Sequence, residues 1–198
     1  MKEQFVNSSI NFIKKYQECD DLKIKKLRYG LEGIYSLFVK LTVVFIIALL
    51  SNTLIQTLLF LLFYAGIRTF SFGLHAKSNI ACWISTIAIY NVIPLLIKNY
   101  NFSDIVGYII IGASLIGMML WAPADTPKRP LIRKKQRTKC KIFSITVVLI
   151  YAIIFYISKS NLITNPLVYS LIVQSILINP ITYKITNTRF NNYKYYKK

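Results

Sequence analysis

Six long apolar runs dominate this sequence and restrict the folds open to it. Each has roughly 15–20 residues, close to the ~20 that a helix needs to cross a lipid bilayer. A membrane-spanning helix satisfies its own backbone hydrogen bonds, and six such runs in 198 residues leave too little polar surface for a soluble bundle. The chain is therefore predicted to be an all-α polytopic membrane protein with six transmembrane helices. The runs occupy residues 36–50, 53–67, 80–97, 105–121, 142–158 and 162–182.

Basic residues alternate between the two sides of these predicted spans. The chain has 25 lysines and arginines against 7 acids, and its formal net charge is +18. Most of the basic residues precede the first span, follow the sixth, or lie after the second and fourth, whereas the other connections contain only Lys98 and Lys159. The positive-inside rule then predicts that both termini are cytoplasmic. Topology and attraction to anionic lipids account for the charge, so we expect a lipid bilayer as partner and no nucleic acid.

One membrane domain is predicted to cover residues 1–198, with an amphipathic segment at 1–35, the spans at 36–182 and a basic tail at 183–198. The amphipathic segment is interpreted either as a helix in the membrane interface or as a short soluble helix packed on loops. No cleavable signal peptide is predicted, because the first apolar run begins only near Ser36. The residues expected on the apolar face of the segment are Phe5, Val6, Phe12, Ile13 and Tyr16, with Ile10 to one side.

The only histidine of the chain lies seven residues before a cysteine, in "HAKSNIAC". On one continuous helix, His75 and Cys82 would share a face but lie about 10 Å apart along the axis, too far to touch. Gly73 and the polar residues after it interrupt the apolar pattern. Ser78 or Asn79 is a suitable N-cap for the third predicted helix. A helix that starts there would place Cys82 in its first turn and His75 just before it.

A thiol at a helix N-terminus beside an imidazole matches the chemistry of cysteine proteases. Both neighbours favour the thiolate, which is the nucleophile, and the imidazole serves as base. The alternative is that His75 is a structural hydrogen-bonding residue and that Cys82 is a small apolar residue of a membrane helix. Cys140, between two lysines, is a rival nucleophile, and Cys19, beside acids, is less activated. No metal or serine-hydrolase motif is recognised, and no cofactor is expected.

Two further features flank this pair. Arg68 lies at the end of the second apolar run, where it would either bind a substrate carboxylate or anchor the helix at the membrane surface. The stretch "WAPADTPKRPLIRKKQR" at 121–137 contains three prolines and one acid before dense positive charge. Asp125 is therefore a hypothetical third member of a catalytic triad, orienting His75.

These residues together resemble the accessory gene regulator protein B family. Arg68, His75 and Cys82 stand at seven-residue intervals with Gly73 between the first two, and "APADTPKRP" precedes a basic loop. The likeness extends from about Arg28 to the sixth span. It implies a membrane cysteine endopeptidase of the bacterial cytoplasmic membrane that processes a small propeptide into a cyclic quorum-sensing signal. The implied catalytic residues are His75 and Cys82, and the implied supporting residues are Arg68, Gly73, Lys128 and Arg129.

The resemblance also implies a reaction and a set of partners. The thiolate would form a thioester with the propeptide, and a thiol or hydroxyl of the propeptide would then close a thiolactone or lactone. The expected partners are the bilayer, an amphipathic propeptide with an acidic C-terminal tail, and a second copy of the chain in a homodimer. A small peptide transporter or channel and a non-catalytic membrane scaffold are the alternatives. The absence of acids within the apolar runs counts against proton-coupled transport.

Overall fold

The structure is a computed structural model that describes residues 2–17, 20–76, 78–127 and 130–196. The contacts of the chain form two compact units, Met1–Ile47 and Ala48–Lys198, and each is described by itself. The prediction of one membrane domain stays a prediction. The helices are α1 (Lys2–Tyr16), α2 (Asp21–Leu50), α3 (Leu54–Ser71), α4 (Asn79–Asn99), α5 (Asp104–Trp121), α6 (Lys134–Ile157), α7 (Asn161–Ile178) and α8 (Pro180–Ile185).

The all-α fold with six potential membrane spans is confirmed. The six helices from α2 to α7 are long and apolar enough to cross a membrane. Within the described ranges there is no strand, and an isolated bridge joins Phe72 to Ala124 in parallel. The orientation of the termini stays a prediction.

Several helix ends differ from those predicted. α2 begins at Asp21 instead of residue 36, and α6 begins at Lys134 instead of residue 142. The predicted limits followed apolar composition alone, whereas lysine, arginine, glutamine and leucine are strong helix formers, so both helices continue into the basic segments. The last apolar run is divided, because Pro180 starts a new short helix, α8, after α7 ends at Ile178.

In the first unit, α1 packs antiparallel on the basic beginning of α2. An ion pair joins Lys2 to Glu32 at 2.9 Å, and the Arg28 guanidinium donates to the side-chain oxygen of Asn7 at 2.8 Å. The predicted amphipathic segment is therefore two helical pieces. Val6 and Ile10 are buried, while Phe12 and Tyr16 of the predicted apolar face are exposed, and their contact with a membrane stays a prediction. Val6 and Ile10 are one helical turn apart, so they share one face of α1.

In the second unit, α7 is the central helix and packs on α3, α4, α5 and α6. Most residues of its apolar stretch are buried within the protein, whereas only a minority are buried in each of the other spans. Polar side chains help to fix it: the Gln174 amide nitrogen donates to the Ser71 hydroxyl oxygen at 2.6 Å and to the Phe72 carbonyl at 2.7 Å. Polar bonds of this kind hold membrane helices together where the surroundings give no hydrophobic driving force. The end of α3 is thereby held against α7.

Candidate active site

The segment that contains the histidine leaves α3 through a sharp turn. We call residues 72–76 the histidine loop. Phe72 has a φ of 59° and Gly73 a φ of 116°, so two successive residues lie in the left-handed half of backbone space. A non-glycine residue in that half is strained, and such strain persists only where the surroundings hold the backbone in place.

Hydrogen bonds from two other segments supply that support. The Gly73 amide donates to the Ala124 carbonyl at 2.9 Å, and the Ala124 amide donates to the Ser71 carbonyl at 3.0 Å. The Leu74 amide donates to the Leu177 carbonyl, near the end of α7, at 3.0 Å. Irregular backbone is tolerated in a membrane protein where protein groups satisfy its polar atoms in this way. The residue that follows, His75, is therefore carried on a fixed backbone.

Arg68 acts on the histidine loop from within α3. Its guanidinium donates to the Leu74 carbonyl at 3.0 Å and to the Tyr64 hydroxyl at 2.8 Å. It also lies 5.5 Å from the centre of the Tyr64 ring. These contacts fix the residue directly before His75, so Arg68 has a positioning role that the sequence did not reveal. Arginine has five N–H donors, and binding of a substrate carboxylate by the others stays a prediction.

Cys82 lies in the first turn of α4, as predicted. Ser78 is the N-cap, and its hydroxyl oxygen accepts the Ala81 amide at 3.1 Å. The Cys82 amide donates to the Ser78 carbonyl at 3.0 Å, and the cysteine is half-buried. The helix begins at Asn79, after His75, so the break that the cysteine–histidine pair requires is present.

The remaining candidates have different positions. Cys140 is a half-buried residue in the second turn of α6, and its carbonyl accepts the Ser144 hydroxyl at 2.8 Å. The rival Cys19 and the supporting residues Lys128 and Arg129 lie outside the described residues. Gly73 is in the histidine loop, where its positive φ gives a physical reason for glycine.

The carboxylate of Asp125 is almost fully buried and accepts three backbone amides. Oδ1 accepts from Asn192 at 2.7 Å, and Oδ2 accepts from Tyr193 at 3.0 Å and from Leu131 at 3.2 Å. A carboxylate has about four acceptor positions, and these bonds fill three of them. The structure thus gives Asp125 an anchoring role, while orientation of His75 by Asp125 stays a prediction.

Asp125 anchors the C-terminal tail, which we define as residues 186–196. The Arg137 guanidinium stacks 3.8 Å from the centre of the Tyr193 ring and adds a second anchor. Just before the tail, the Tyr183 hydroxyl donates to the Ala124 carbonyl at 3.0 Å. Burial raises the pKa of Tyr183, as does the negative charge of Asp125, while Arg68 opposes them, and the hydroxyl therefore stays a neutral donor.

These anchors could not be recognised in the sequence, where the tail is only a basic segment. Asn192 and Tyr193 are separated from Asp125 by 67 and 68 residues, and no periodicity links them. The one available signal was an acid standing alone in a proline-rich, basic linker. Such an acid is a candidate for a buried anchor, because a buried carboxylate needs donors from elsewhere in the chain.

Asp125→Ala is expected to release the C-terminal tail. The three amides would lose a charged acceptor in a buried place, at a cost on the order of 3 kcal/mol or more in the free energy of unfolding. The measurement is limited trypsin digestion of the detergent-solubilised protein, followed at the exposed Lys194. Asp104→Asn is the matched control, because Asp104 is an exposed acid at the start of α5. Equal protection of the tail in Asp125→Ala and the native protein would contradict the anchoring role.

A cavity of about 520 Å³ adjoins the histidine loop. His75 contributes one wall, Thr126 and Pro127 contribute the second, and tail residues between Asn187 and Tyr196 contribute the rest. The described side chains that line it include that of His75 and not that of Cys82. The tail is therefore one wall of the cavity beside the histidine.

Residues 6–178 match the family model for accessory gene regulator B. An AgrB-like protein of Listeria innocua serovar 6a is 35% identical over 176 residues, covering 87% of this chain and 84% of that protein. An AgrB-like protein of Clostridium acetobutylicum is 28% identical over 184 residues, with coverages of 91% and 87%.

A third relative is named accessory gene regulator protein B. This protein of Staphylococcus saprophyticus is 29% identical over 155 residues, covering 76% of this chain and 82% of that protein. No solved structure matches the chain. The match to the family model spans all six apolar helices, from α2 to α7. This multi-pass membrane protein belongs to the accessory gene regulator B family.

Proposed function

We propose that this protein is a membrane cysteine endopeptidase that removes the C-terminal part of a small quorum-sensing propeptide and assists its cyclisation. The observation that carries the proposal is the start of α4. A capped helix begins at Asn79, so Cys82 lies in the first turn while His75 precedes the helix on a loop held by two other segments. The helix dipole and an imidazole both favour a thiolate at such a position.

The first half of the reaction is an acyl transfer. His75 takes the thiol proton, and the Cys82 sulfur attacks a backbone carbonyl of the propeptide. As the tetrahedral intermediate collapses, the C–N bond breaks and His75 returns the proton to the leaving amine. The products are a thioester on Cys82 and a free peptide from the C-terminal side, which we call the leaving segment. Ala81 and Cys82 already donate their amides to Ser78, so donors to the oxyanion must come from other groups.

The second half closes a ring. A cysteine thiol of the propeptide, upstream of the new acyl end, attacks the thioester carbonyl. A carbon–sulfur bond forms to the propeptide, the bond to Cys82 breaks, and the proton of the attacking thiol passes to the departing thiolate. One thioester replaces another, so no energy source is required if water is kept from the carbonyl. A serine in the same place would give a lactone instead.

The place of the reaction follows from charge and connectivity. The histidine loop is hydrogen-bonded to the α5–α6 connection, and that connection is bonded to the C-terminal tail, so the three segments lie at one end of the second unit. The α5–α6 connection and the C-terminal tail are basic, and the positive-inside rule assigns such an end to the cytoplasm. We infer a protein of the bacterial cytoplasmic membrane that receives an amphipathic propeptide with an acidic tail from inside the cell. A homodimer is a compatible arrangement.

Reconstitution tests the proposal. The purified protein is placed in proteoliposomes with a synthetic propeptide that has an amphipathic N-terminus, a central cysteine and an acidic C-terminal tail. We expect release of the leaving segment together with a hydroxylamine-sensitive adduct on the enzyme, and peptide mapping by mass spectrometry should locate the adduct at Cys82. Passage of intact propeptide across the membrane without cleavage would favour the transporter. The absence of both cleavage and transport would favour the scaffold.

A further inference from the structure

The cavity beside His75 suggests where the protein holds the part of the substrate on the C-terminal side of the scissile bond. In the proposed reaction the imidazolium gives its proton to the leaving amine, so the leaving segment lies on the histidine side of the bond. The cavity is lined by His75 and by the tail, and its described lining does not include Cys82. A peptide that occupies it would therefore be the leaving segment and not the acyl part.

We propose, on the basis of the function above, that this cavity is the binding subsite for the leaving segment and that Arg189 binds a carboxylate of that segment. Arg189 lines the cavity, is exposed, and forms no ion pair with any residue that the structure describes. The described lining contains no acid, and Asp125, the one acid in the sequence between α5 and α6, directs its carboxylate to backbone amides.

The guanidinium of Arg189 has a defined surrounding. It lies 5.3 Å from the centre of the Tyr195 ring, a second residue of the cavity wall. Such a cation–π contact limits the positions of the arginine side chain. The N–H donors lie in the plane of the guanidinium and stay available for a carboxylate. The Arg189 carbonyl accepts the Asn192 side-chain amide at 2.6 Å, so its backbone is tied to the residue that Asp125 anchors. The cation is thus presented on a fixed wall, which lowers the entropic cost of binding.

Thr126 supplies an independent indication that the cavity binds something polar. This residue lines the cavity, is only 2% exposed, and its hydroxyl has no hydrogen-bond partner among the described residues. A buried hydroxyl without a partner costs about 1–3 kcal/mol. A backbone N–H or carbonyl of a bound peptide would remove that cost. Thr126 follows Asp125 directly, so the same short stretch of linker anchors the tail and presents the unsatisfied hydroxyl.

The test compares two propeptides that differ only in the leaving segment, one with its acidic residues and one with each acid replaced by its amide. For the native protein we expect the amide form to have a KM about 10-fold higher, with kcat nearly unchanged, as for loss of a charged hydrogen bond. Arg189→Gln should remove that difference. Arg133→Gln, an exposed arginine outside the described lining of the cavity, should keep it. Arg189→Glu should prefer a propeptide whose acids are replaced by lysine.

Two measurements keep this result separate from the proposed chemistry. Binding of both propeptides to Cys82→Ala by fluorescence anisotropy requires no turnover, so the subsite can be tested even if cleavage fails. Thr126→Val should raise KM without lowering the thermal unfolding midpoint, because the isosteric change removes an unsatisfied hydroxyl. Unchanged discrimination between the two propeptides in Arg189→Gln, in binding or in KM, would overturn the assignment of Arg189. If the native protein does not cleave the propeptide but still binds the acidic form more tightly, the proposed function is overturned and the assignment of the subsite is retained.

Discussion

Cys82→Ala is expected to reduce release of the leaving segment by on the order of 10⁴-fold or more, because removal of the nucleophile ends covalent catalysis. His75→Ala is expected to cost roughly 10²–10⁴-fold, the usual contribution of a general base. Cleavage is measured by mass spectrometry in proteoliposomes, with equal amounts of each variant verified in the membrane. The hydroxylamine-sensitive adduct should be absent in Cys82→Ala.

The matched control is Cys140→Ala, which removes the other half-buried cysteine of the described chain. It should cleave within a few-fold of the native rate. Cys140 lies in α6 between two lysines and was a rival nucleophile on sequence grounds. Loss of cleavage in Cys140→Ala with full activity in Cys82→Ala would transfer the nucleophile's role to α6 and reject the mechanism.

Gly73→Ala is expected to damage both stability and catalysis. At a φ of 116°, any other L-residue is strained, and a Cβ there would lie 3.2 Å from the Leu177 carbonyl oxygen. Strain of this kind costs about 1–3 kcal/mol in the free energy of unfolding. The oxygen belongs to backbone at the end of α7, so relief requires movement of the histidine loop. A shift of about 1 Å at a catalytic base can cost about 10²-fold in rate.

Gly112→Ala provides the same chemical change at a tolerant place. Gly112 lies within α5, and an added Cβ would meet nothing within 4 Å. Alanine is a better helix former than glycine by about 0.5–1 kcal/mol, so this variant should be as stable as the native protein or slightly more stable. Thermal unfolding in detergent and the cleavage assay give both readouts. Equal behaviour of the two alanine variants would show that the conformation of Gly73 is not required.

The elements that the sequence predicted correctly depend on neighbours in the chain. The Ser78 cap and the position of Cys82 in the first turn follow from a polar break before an apolar run, which is local chemistry. The burial of Val6 and Ile10 in α1 could not be predicted, since several faces of that helix carry apolar residues and only its packing on α2 decides which is buried. The starts of α2 and α6 were also placed too late, because apolar length does not report how far a helix continues into basic residues.

The sequence by itself determined the class of the molecule, its six spans and the spacing of His75 and Cys82, because bilayer thickness and helix geometry act on consecutive residues. The central place of α7 was decided only by the tertiary structure, since an apolar run has the same composition whether it faces lipid or protein. The same holds for the anchoring of the C-terminal tail by Asp125. Its partners lie 67 and 68 residues away, and only helix packing brings the ends of α3, α5 and α7 together so that the tail forms a wall of the cavity beside His75.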